Sequence, residues 1–477
     1  MIIFDAICVS MPYVAAFAIA YWAFQSPKRG VYLDSLLVVL GLGIGTGMGS
    51  CSFFLWRSLH YPTEGLKLGE VLFFFLCTAV FVVLMRHKLS QRIPNGLPAQ
   101  DGTIVRPASA LLCLGFLVVL ISALVGFVLL SYNRPHGSSD AYVIWNLHAR
   151  FLSRGGADWK NYLSPLLLWT HPDYPLLVPA TIARFWTYLG TETVLVPGLL
   201  GGFFTFATVA LLIFSLSFLQ LRNQGFLAAI FLLASSPFIN LGAYQMADVP
   251  IGFFILSTTI ILTLKDYGAL QNNRLTVLAG ITCALAAWTK NEGLLFVLAV
   301  VISRITLYLT KRDIRHYFRE TLFFSFGFIP IIAVLLFFKI KYSPPNDLMT
   351  AQTLSFAVPK LLDISRYVLV GRWFLREITH FGNGVTVVFF VYLVLAGVEL
   401  DERKIQPLIS TGVLLVTMLC GHFFIYIVSP FDLNWHLSSS SQRLLIQLWP
   451  TLLFLAFLIT RPLFDRESER GARFLST

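Results

Sequence analysis

Charged side chains are scarce in this sequence. Asp, Glu, Lys and Arg together make up 12% of the 477 residues, about half the share found in a typical soluble domain. Hydrophobic residues make up 57%, and the mean hydropathy is +0.75. These values exclude an ordinary soluble domain and indicate an integral membrane protein with many membrane spans.

Cysteine pairs and metal-binding spacings are also missing. The six cysteines lie singly in apolar segments without CxxC spacing, which argues against a zinc finger and a disulfide framework. The nine histidines show neither HExxH nor H-x₃-H spacing, so a dedicated zinc site is not expected. Nothing resembles a nucleic-acid-binding module, and the net charge of +11 fits basic membrane loops without a nucleic-acid partner.

Continuous apolar runs take up most of the chain. A helix needs about 20 apolar residues to cross the hydrocarbon core, and runs without alternation favour helices over a β-barrel. The sequence therefore predicts an all-α polytopic membrane protein with about 13 spans. The predicted spans are 7–25, 33–56, 69–85, 108–131, 193–218, 225–241, 249–264, 275–289, 293–310, 321–338, 383–398, 407–428 and 444–460.

Lys and Arg in the short connections predict the orientation. By the positive-inside rule the basic connections face the cytoplasm, which places the N-terminus outside and the C-terminus inside. The first span carries no preceding positive charge and is followed by Lys28 and Arg29, which fits an N-out span better than a signal peptide. The other basic positions on this side are Arg86, Lys88, Arg92, Arg106, Arg222, Lys265, Arg274, Lys311, Arg312, Arg315, Arg319, Arg403, Lys404, Arg461, Arg466, Arg470 and Arg473.

Polar and aromatic residues gather on the predicted outer side. The first long outer loop, 132–193, is rich in carboxylates, imidazoles and aromatic rings, and a second long outer loop spans 339–380. The short outer connections 243–250, 289–293 and 429–443 add further acids and bases. Because charged groups at a membrane boundary are costly unless they pair or bind something, we expect one composite site there.

Five glycines alternate with other residues from Gly41 to Gly49. They lie within an apolar span and outside any βαβ unit, so the run does not fit a nucleotide-binding loop. Their overlapping G-x-x-x-G spacing predicts close helix packing instead.

The outer connections carry short motifs in a defined order. Asp140-Ala-Tyr142, with 144–151, resembles the first outer-loop motif of the GT-C glycosyltransferases. These multi-span enzymes include the protein O-mannosyltransferases and the lipid A aminoarabinose transferases. The stretches 171–175, 246–250 and 287–293 resemble later family motifs, and 435–450 resembles a stretch of the bacterial members. The resemblance rests on the order of these motifs along the chain and on their common predicted side of the membrane.

One feature departs from the family pattern. In the family the Asp loop usually follows the first span, whereas here it follows the fourth predicted span. We therefore divide the chain into three parts: an N-terminal transmembrane addition of three helices (1–105), a GT-C-like catalytic core (106–320) and a C-terminal transmembrane region (321–477).

The resemblance implies a reaction and its partners. The donor would be a polyprenyl-phosphate sugar held in the membrane lipid, and the acceptor would be a hydroxyl of a lipid, glycan or protein on the extracytoplasmic face. Transfer would invert the anomeric centre, and Asp140 stands where the family places an essential acid. Asp140 is therefore the expected catalytic base. The alternative is a helix N-cap, since Ser138-Ser139-Asp140 precedes a helix-like run.

The resemblance also implies residues that bind phosphate and sugar. Lys290 and Glu292 could instead pair with each other or extend to the interface. Asp248, shortly before Pro250, is a helix cap, a residue that orients a phosphate-binding base or, with Asp140, a ligand of a divalent metal such as Mg²⁺ or Mn²⁺. The expected phosphate- and substrate-binding residues are Lys290, Arg443, His171, Asp173, Tyr142, Glu292 and His436.

Several polar residues have plainer explanations. His422 lies inside a span, where we expect a packed, hydrogen-bonded ring. Arg366, Arg372 and Arg376 could bind phosphate or form a solvated loop face. The Trp and Tyr residues of the outer loops could stack on sugars, although interfacial aromatic belts are common.

Two other functions remain as alternatives. A transporter or flippase of a lipid-linked sugar would show inverted repeats and ionisable residues at the bilayer midplane, whereas the apolar spans here carry almost none. A non-catalytic scaffold would tolerate loss of Asp140. For the enzyme we expect the bacterial inner membrane rather than the endoplasmic reticulum, because no retention signal is present.

Overall fold

Helices form nearly all of the chain that the structure describes. The computed structural model describes residues 2–25, 30–59, 63–86, 107–270, 272–312, 314–345 and 354–461. In these ranges 11 helices are long and apolar enough to cross a membrane, or up to 12 if a bent helix pair is one span. The prediction of an all-α polytopic membrane protein is therefore confirmed.

The described ranges contain 18 α-helices. In chain order they are α1 (Ile2–Phe24), α2 (Val31–Ser58), α3 (Thr63–Arg86), α4 (Pro107–Asn133), α5 (Asn146–Arg154), α6 (Leu177–Leu189), α7 (Leu195–Phe218), α8 (Arg222–Ala234), α9 (Ser236–Ala243), α10 (Asp248–Asp266), α11 (Asn273–Thr289), α12 (Glu292–Lys311), α13 (Ile314–Lys341), α14 (Leu354–Leu362), α15 (Ile364–His380), α16 (Val385–Ala396), α17 (Glu402–Val428) and α18 (Leu433–Ile459). The bent pair is α8 and α9, which meet at 67°.

α11 is 17 residues long and is not among the helices counted above. It nevertheless runs antiparallel to α10, because Lys290 at its end bonds Asp248 at the start of α10. With α11 the fold has one more pass, in agreement with the about 13 spans that the apolar runs predict.

The bundle has two polar ends, which we name after one residue each. The Asp140 end contains the starts of α10, α12 and α18, and the Asp266 end contains the ends of α10 and α12 and the starts of α11 and α17. At 1.5 Å per residue, α10 separates the two ends by about 27 Å. This length is close to the hydrocarbon thickness of a bilayer.

The glycine run lies in α2 and packs closely on both sides. A Cβ atom at Gly45 would lie 2.8 Å from the Cα atom of Tyr13 in α1. A Cβ atom at Gly43 would lie 2.2 Å from the ring of Phe253 in α10. The helices meet at these positions because glycine has no side chain, which agrees with the packing interpretation.

The described N-terminal helices brace the first outer loop. Arg57 in α2 donates hydrogen bonds of 2.9 Å to the carbonyls of Leu152 and Ser153 in the last turn of α5. Arg184 in α6 forms a buried ion pair with Glu70 of α3, with Nη2 and Oε2 2.8 Å apart. Since helix-end carbonyls and buried charges both need partners, these contacts fix the loop that carries Asp140.

The described parts of the two long loops predicted on the outer side are mostly helical, and α15 of the second loop belongs to a candidate membrane span, Ile364–Ala396. In the first loop a π-helical turn, Ala141–Trp145, follows Asp140 directly and continues into α5. Such π-helical turns occur frequently at functional sites. In the second loop Arg366 of α15 donates to the carbonyls of Tyr426, Ile427 and Ser429. Arg366 therefore caps the C-terminal end of α17.

Replacing Gly45 with alanine should destabilise the fold. The new methyl group would overlap the backbone of Tyr13, and overpacking of this kind costs about 1–3 kcal/mol. Gly115→Ala is the matched control, because a Cβ atom there would meet nothing within 4 Å. Thermal unfolding of both variants in the same detergent measures the difference. Equal melting temperatures would contradict the packing assigned to the glycine run.

Candidate functional site

Charged side chains from four separate segments meet at the Asp140 end. They are Asp140 of the first outer loop, Asp248 at the start of α10, Lys290 and Glu292 around the α11–α12 turn, and Arg443 of α18. We call these five residues the ion-pair network. Each of them was predicted as a site residue from the sequence.

Arg443 joins the two aspartates. Its Nη1 atom lies 2.7 Å from Oδ2 of Asp140, and its Nε atom lies 3.1 Å from Oδ2 of Asp248. One guanidinium group can make both contacts because its N–H donors point in fixed, divergent directions. The outer loop and α18 are thereby tied to the start of α10.

Asp248 is the most enclosed member of the network. Its side chain has no exposed surface. Oδ1 accepts hydrogen bonds from Lys290 Nζ at 3.0 Å and from Gln447 Nε2 at 2.8 Å, while Oδ2 accepts from Arg443. A buried carboxylate is tolerable only with such partners. Asp248 therefore positions the two cations and has little free capacity for another ligand.

Lys290 bridges two carboxylates. Its Nζ atom lies 2.7 Å from Oε1 of Glu292 in addition to its contact with Asp248. Burial lowers the pKa of Lys290, but the charges of Asp248 and Glu292 outweigh burial and hold the pKa above its ordinary value. Lys290 thus remains a cation, and it does pair with Glu292 as the plainer interpretation of the sequence proposed.

The helix-cap alternatives are not found for either aspartate. Asp140 precedes the π-helical turn, but its side chain makes no capping hydrogen bond. Asp248 lies within the first turn of α10, and its carboxylate bonds to side chains of other helices. Both carboxylates therefore serve the network.

Asp140 is the more accessible of the two aspartates, with 32% of its side chain exposed. Its Oδ2 atom pairs with Arg443, and its Oδ1 atom has a longer contact of 3.5 Å with the hydroxyl of Ser139. A carboxylate with one loosely held oxygen at a cavity wall is able to accept a proton from a bound hydroxyl group.

Two cavities meet at the network. The first, of about 640 Å³, contains Lys290, Glu292 and Lys339 together with the apolar side chains of Leu294, Leu295, Ile425 and Leu444. The second, of about 650 Å³, contains Asp140, His171, Trp169, Phe431 and Trp435. The two cavities share Tyr174, His436, Ser440 and Arg443. Arg443 thus lies between a largely apolar space and an aromatic-rich one.

An aromatic stack forms part of the wall between them. The Tyr174 ring lies parallel to Trp145 at 5.6 Å and to His171 at 5.0 Å between ring centres. Lys290 Nζ lies 6.0 Å from the centre of the Tyr174 ring. Burial, followed by the charge of Glu292, raises the pKa of Tyr174, so its phenol stays protonated and can donate a hydrogen bond.

The remaining predicted site residues are not all close to the network. His171 and His436 line the second cavity, and Nδ1 of His436 lies 2.8 Å from the Ser429 hydroxyl. Asp173 accepts a hydrogen bond of 2.7 Å from Asn291. Tyr142 is half exposed and contacts His136 and Arg150 outside both cavities, so the structure does not bring it to the network.

Three residues that contact the site were not predicted from the sequence: Lys339, Asn291 and Gln447. Lys339 at the end of α13 donates to Asn291 Oδ1 at 2.8 Å and to the carbonyl of Asp173. Gln447 bonds Asp248, as described above. The available signals were weak: Lys339 ends an apolar run, and Asn291 and Gln447 lie inside quoted motifs without a charge of their own.

Two further predictions concern His422 and the tryptophans of the predicted outer loops. His422 is buried, but neither ring nitrogen has a hydrogen-bond partner among the described residues, so the expected hydrogen bond is absent. Trp169 and Trp435 are exposed and line the second cavity, whereas Trp145 and Trp159 are fully buried.

The network does not provide an open carboxylate pair for a divalent metal. Arg443 lies between Asp140 and Asp248 and contacts both. Within the described ranges no group of three or more His, Cys, Asp or Glu side chains is placed to hold a metal ion. The residues present therefore do not fit the Mg²⁺ or Mn²⁺ site proposed from the sequence.

Comparisons with protein-family models, curated proteins and solved structures find no match for this chain. The resemblance to the GT-C glycosyltransferases therefore rests on the short motifs, and the functional argument rests on the geometry of the network.

Removing Lys290 should destabilise the protein strongly. Lys290→Met leaves the buried Asp248 and the partly buried Glu292 with one cation fewer, and breaking a buried ion pair costs about 3–5 kcal/mol. Arg154→Met is the control, because Arg154 pairs with Glu192 while 66% of its side chain is exposed, and such pairs contribute about 0–1 kcal/mol. Thermal unfolding in detergent gives the comparison. A Lys290→Met variant as stable as the control would show that the network is not a buried charge cluster.

Proposed function

We propose that this protein is an inverting glycosyltransferase of the GT-C type. It moves a sugar from a polyprenyl-phosphate donor to an acceptor hydroxyl of a lipid, glycan or protein on the extracytoplasmic face of the membrane. The observation that supports this best is the position of Arg443, which links the partly exposed carboxylate of Asp140 to the buried carboxylate of Asp248 where two cavities meet.

Asp140 is the proposed general base. It accepts the proton of the acceptor hydroxyl while the hydroxyl oxygen attacks the anomeric carbon. The bond from that carbon to the phosphate oxygen breaks on the opposite face, and the oxygen leaves with the bonding electrons as polyprenyl phosphate. Proton transfer of this kind contributes about 10²–10⁴-fold to a rate.

The cations that line the first cavity are the proposed phosphate contacts. Lys290, Lys339 and Arg443 all reach this cavity, and Lys339 bonds to the uncharged oxygens of Asn291 and Asp173. Fixed cations aimed at the developing charge are usually the largest electrostatic contribution to catalysis. The fork-shaped guanidinium of Arg443 also suits a phosphate group.

The side chains that line the two cavities differ, and each set suits one of the two proposed substrates. The first cavity combines these cations with Leu294, Leu295 and Leu444, which suits a phosphate attached to a lipid tail. The second cavity has exposed rings of Trp169 and Trp435 near Asp140, and aromatic faces suit sugar rings and other amphipathic acceptors. We therefore assign the donor to the first cavity and the acceptor to the second.

The broken span does not favour a transporter. α8 and α9 meet at 67°, and the break falls at Ala234-Ser235-Ser236-Pro237. A transporter is expected to carry ionisable residues near the bilayer midplane, and none of these four residues is ionisable. The described ion pairs of the network lie at helix ends instead.

Asp140→Asn should lose transfer activity and keep product binding. The amide cannot take the acceptor proton, so transfer in membranes supplied with a panel of radiolabelled polyprenyl-phosphate sugars should fall about 10²-fold or more. Binding of polyprenyl phosphate, measured by native mass spectrometry, should persist because Lys290 and Lys339 are unchanged. Asp158→Asn, an exposed position in the same loop, is the control. Wild-type transfer by Asp140→Asn would remove Asp140 as the base.

The Asp140 end should face the outside of the cell. In a cysteine-free background, a membrane-impermeant maleimide applied to intact bacteria should label Ser139→Cys and leave Glu399→Cys unlabelled. Both positions are exposed, and they lie at opposite ends of the bundle. Permeabilised cells should label both and serve as the control. The reverse pattern in intact cells would place the network in the cytoplasm and contradict an extracytoplasmic reaction.

A further inference from the structure

A second polar pocket lies at the Asp266 end, about 27 Å from the network along α10. Its volume is about 900 Å³, at the upper end of the range for small-molecule sites. Residues of α10, α11, α12, α13 and α17 line it. The proposed transfer reaction does not use this pocket.

Two of its charged residues already have partners. Lys265 forms an ion pair with Glu320, and Asp266 forms one with Arg304, whose Nη1 and Oδ2 atoms lie 2.5 Å apart. Arg304 also bonds Glu320, with Nε and Oε1 2.6 Å apart. This cluster is electrically balanced, and Lys265 and Asp266 are its two members that line the pocket.

Four other cations line the pocket without a carboxylate partner among the described residues: Arg274, Lys311, Arg319 and Arg403. Arg274 donates to the side chain of Gln25 and the carbonyl of Trp22. Lys311 lies over the Tyr308 ring at 5.5 Å, and Arg319 Nε lies 3.0 Å from the side-chain amide of Asn273. These contacts are with neutral groups, so within the described residues none of these four cations forms an ion pair.

Besides the paired Asp266, one further carboxylate lines the pocket, Glu402, for which the described residues show no ion pair. Four cations against one carboxylate leave an excess of positive charge. The rings of Tyr267, Tyr308 and Phe323 add apolar walls. Basic pockets between transmembrane helices, at the level of the lipid headgroups, are typical sites for phosphate-bearing headgroups.

We propose that this pocket binds a phosphate ester with two or more negative charges. The chemistry is that of a phosphomonoester or pyrophosphate group, supplied either by an anionic lipid headgroup or by a free phosphate compound. Lys311, Arg319 and Arg403 make the charged contacts, because their side chains are exposed at the pocket mouth. The proposal is independent of the glycosyltransferase assignment.

The test uses the full chain purified in a neutral detergent and three probes. Dioctanoyl phosphatidic acid presents a lipid phosphomonoester, dioctanoyl phosphatidylcholine has the same chains without net charge, and inorganic pyrophosphate is the free anion. Wild type is compared with Lys311→Gln/Arg319→Gln. The matched control is Arg134→Gln/Arg154→Gln, which removes the same charge from two exposed positions outside the pocket.

Phosphatidic acid should bind more tightly than phosphatidylcholine and raise the melting temperature of the wild type. The pocket variant should weaken that binding about tenfold or more, and the control should match the wild type. Competition by pyrophosphate would support the shared chemistry. Variant-sensitive binding of pyrophosphate alone would support a free phosphate ligand, and variant-sensitive binding of the lipid would support a headgroup.

Three results would overturn the proposal. The first is equal binding of the two lipids together with no binding of pyrophosphate. The second is unchanged binding in the pocket variant, and the third is an equal loss in the control. If the double variant fails to fold, Arg403→Gln replaces it, because Arg403 is exposed and has no hydrogen bond or ion pair with the described residues.

Discussion

The Asp140 end of the molecule depends on the need to compensate the charge of Asp248. A carboxylate without exposed surface, in a protein of mostly apolar helices, costs several kcal/mol unless cations and donors surround it. Lys290, Arg443 and Gln447 meet that need from two other segments. Since each partner must reach Asp248, the relative positions of α10, the α11–α12 turn and α18 are fixed together.

The described N-terminal helices belong to the same constraint. Arg57 and Arg184 fasten α5 and α6 to α2 and α3, and the glycine run lets α2 approach α1, α10 and α11. The first outer loop is therefore held from one side by these helices and from the other by the pair of Asp140 with Arg443. A segment that looked like an addition from the family pattern thus helps to position the proposed base.

The sequence predicts the spans and the residues of the network, but not how those residues pair. Each apolar run predicts one helix by itself, and the positive-inside pattern predicts which end of each helix faces the cytoplasm. The contact between Asp140 and Arg443 joins residues 303 positions apart, so no local pattern encodes it. The predicted metal site shows the same limit. Two aspartates suggest a cation between them, but the structure places the guanidinium of Arg443 there instead of a metal ion. Lys339 was missed because a lysine that ends an apolar run is also the ordinary snorkelling residue.

The arrangement also bears on how charge would move during the proposed reaction. Asp140, Asp248 and Glu292 carry three negative charges, and Lys290, Lys339 and Arg443 carry three positive ones, so the two cavities enclose a balanced set. When Asp140 takes the acceptor proton it becomes neutral, and Arg443 loses one of its two carboxylate partners. At the same moment the leaving phosphate gains negative charge. In the proposed reaction the contact of Arg443 with both aspartates would therefore couple the two halves of the transfer, because the proton that frees the acceptor oxygen would also make the guanidinium charge available to the departing phosphate.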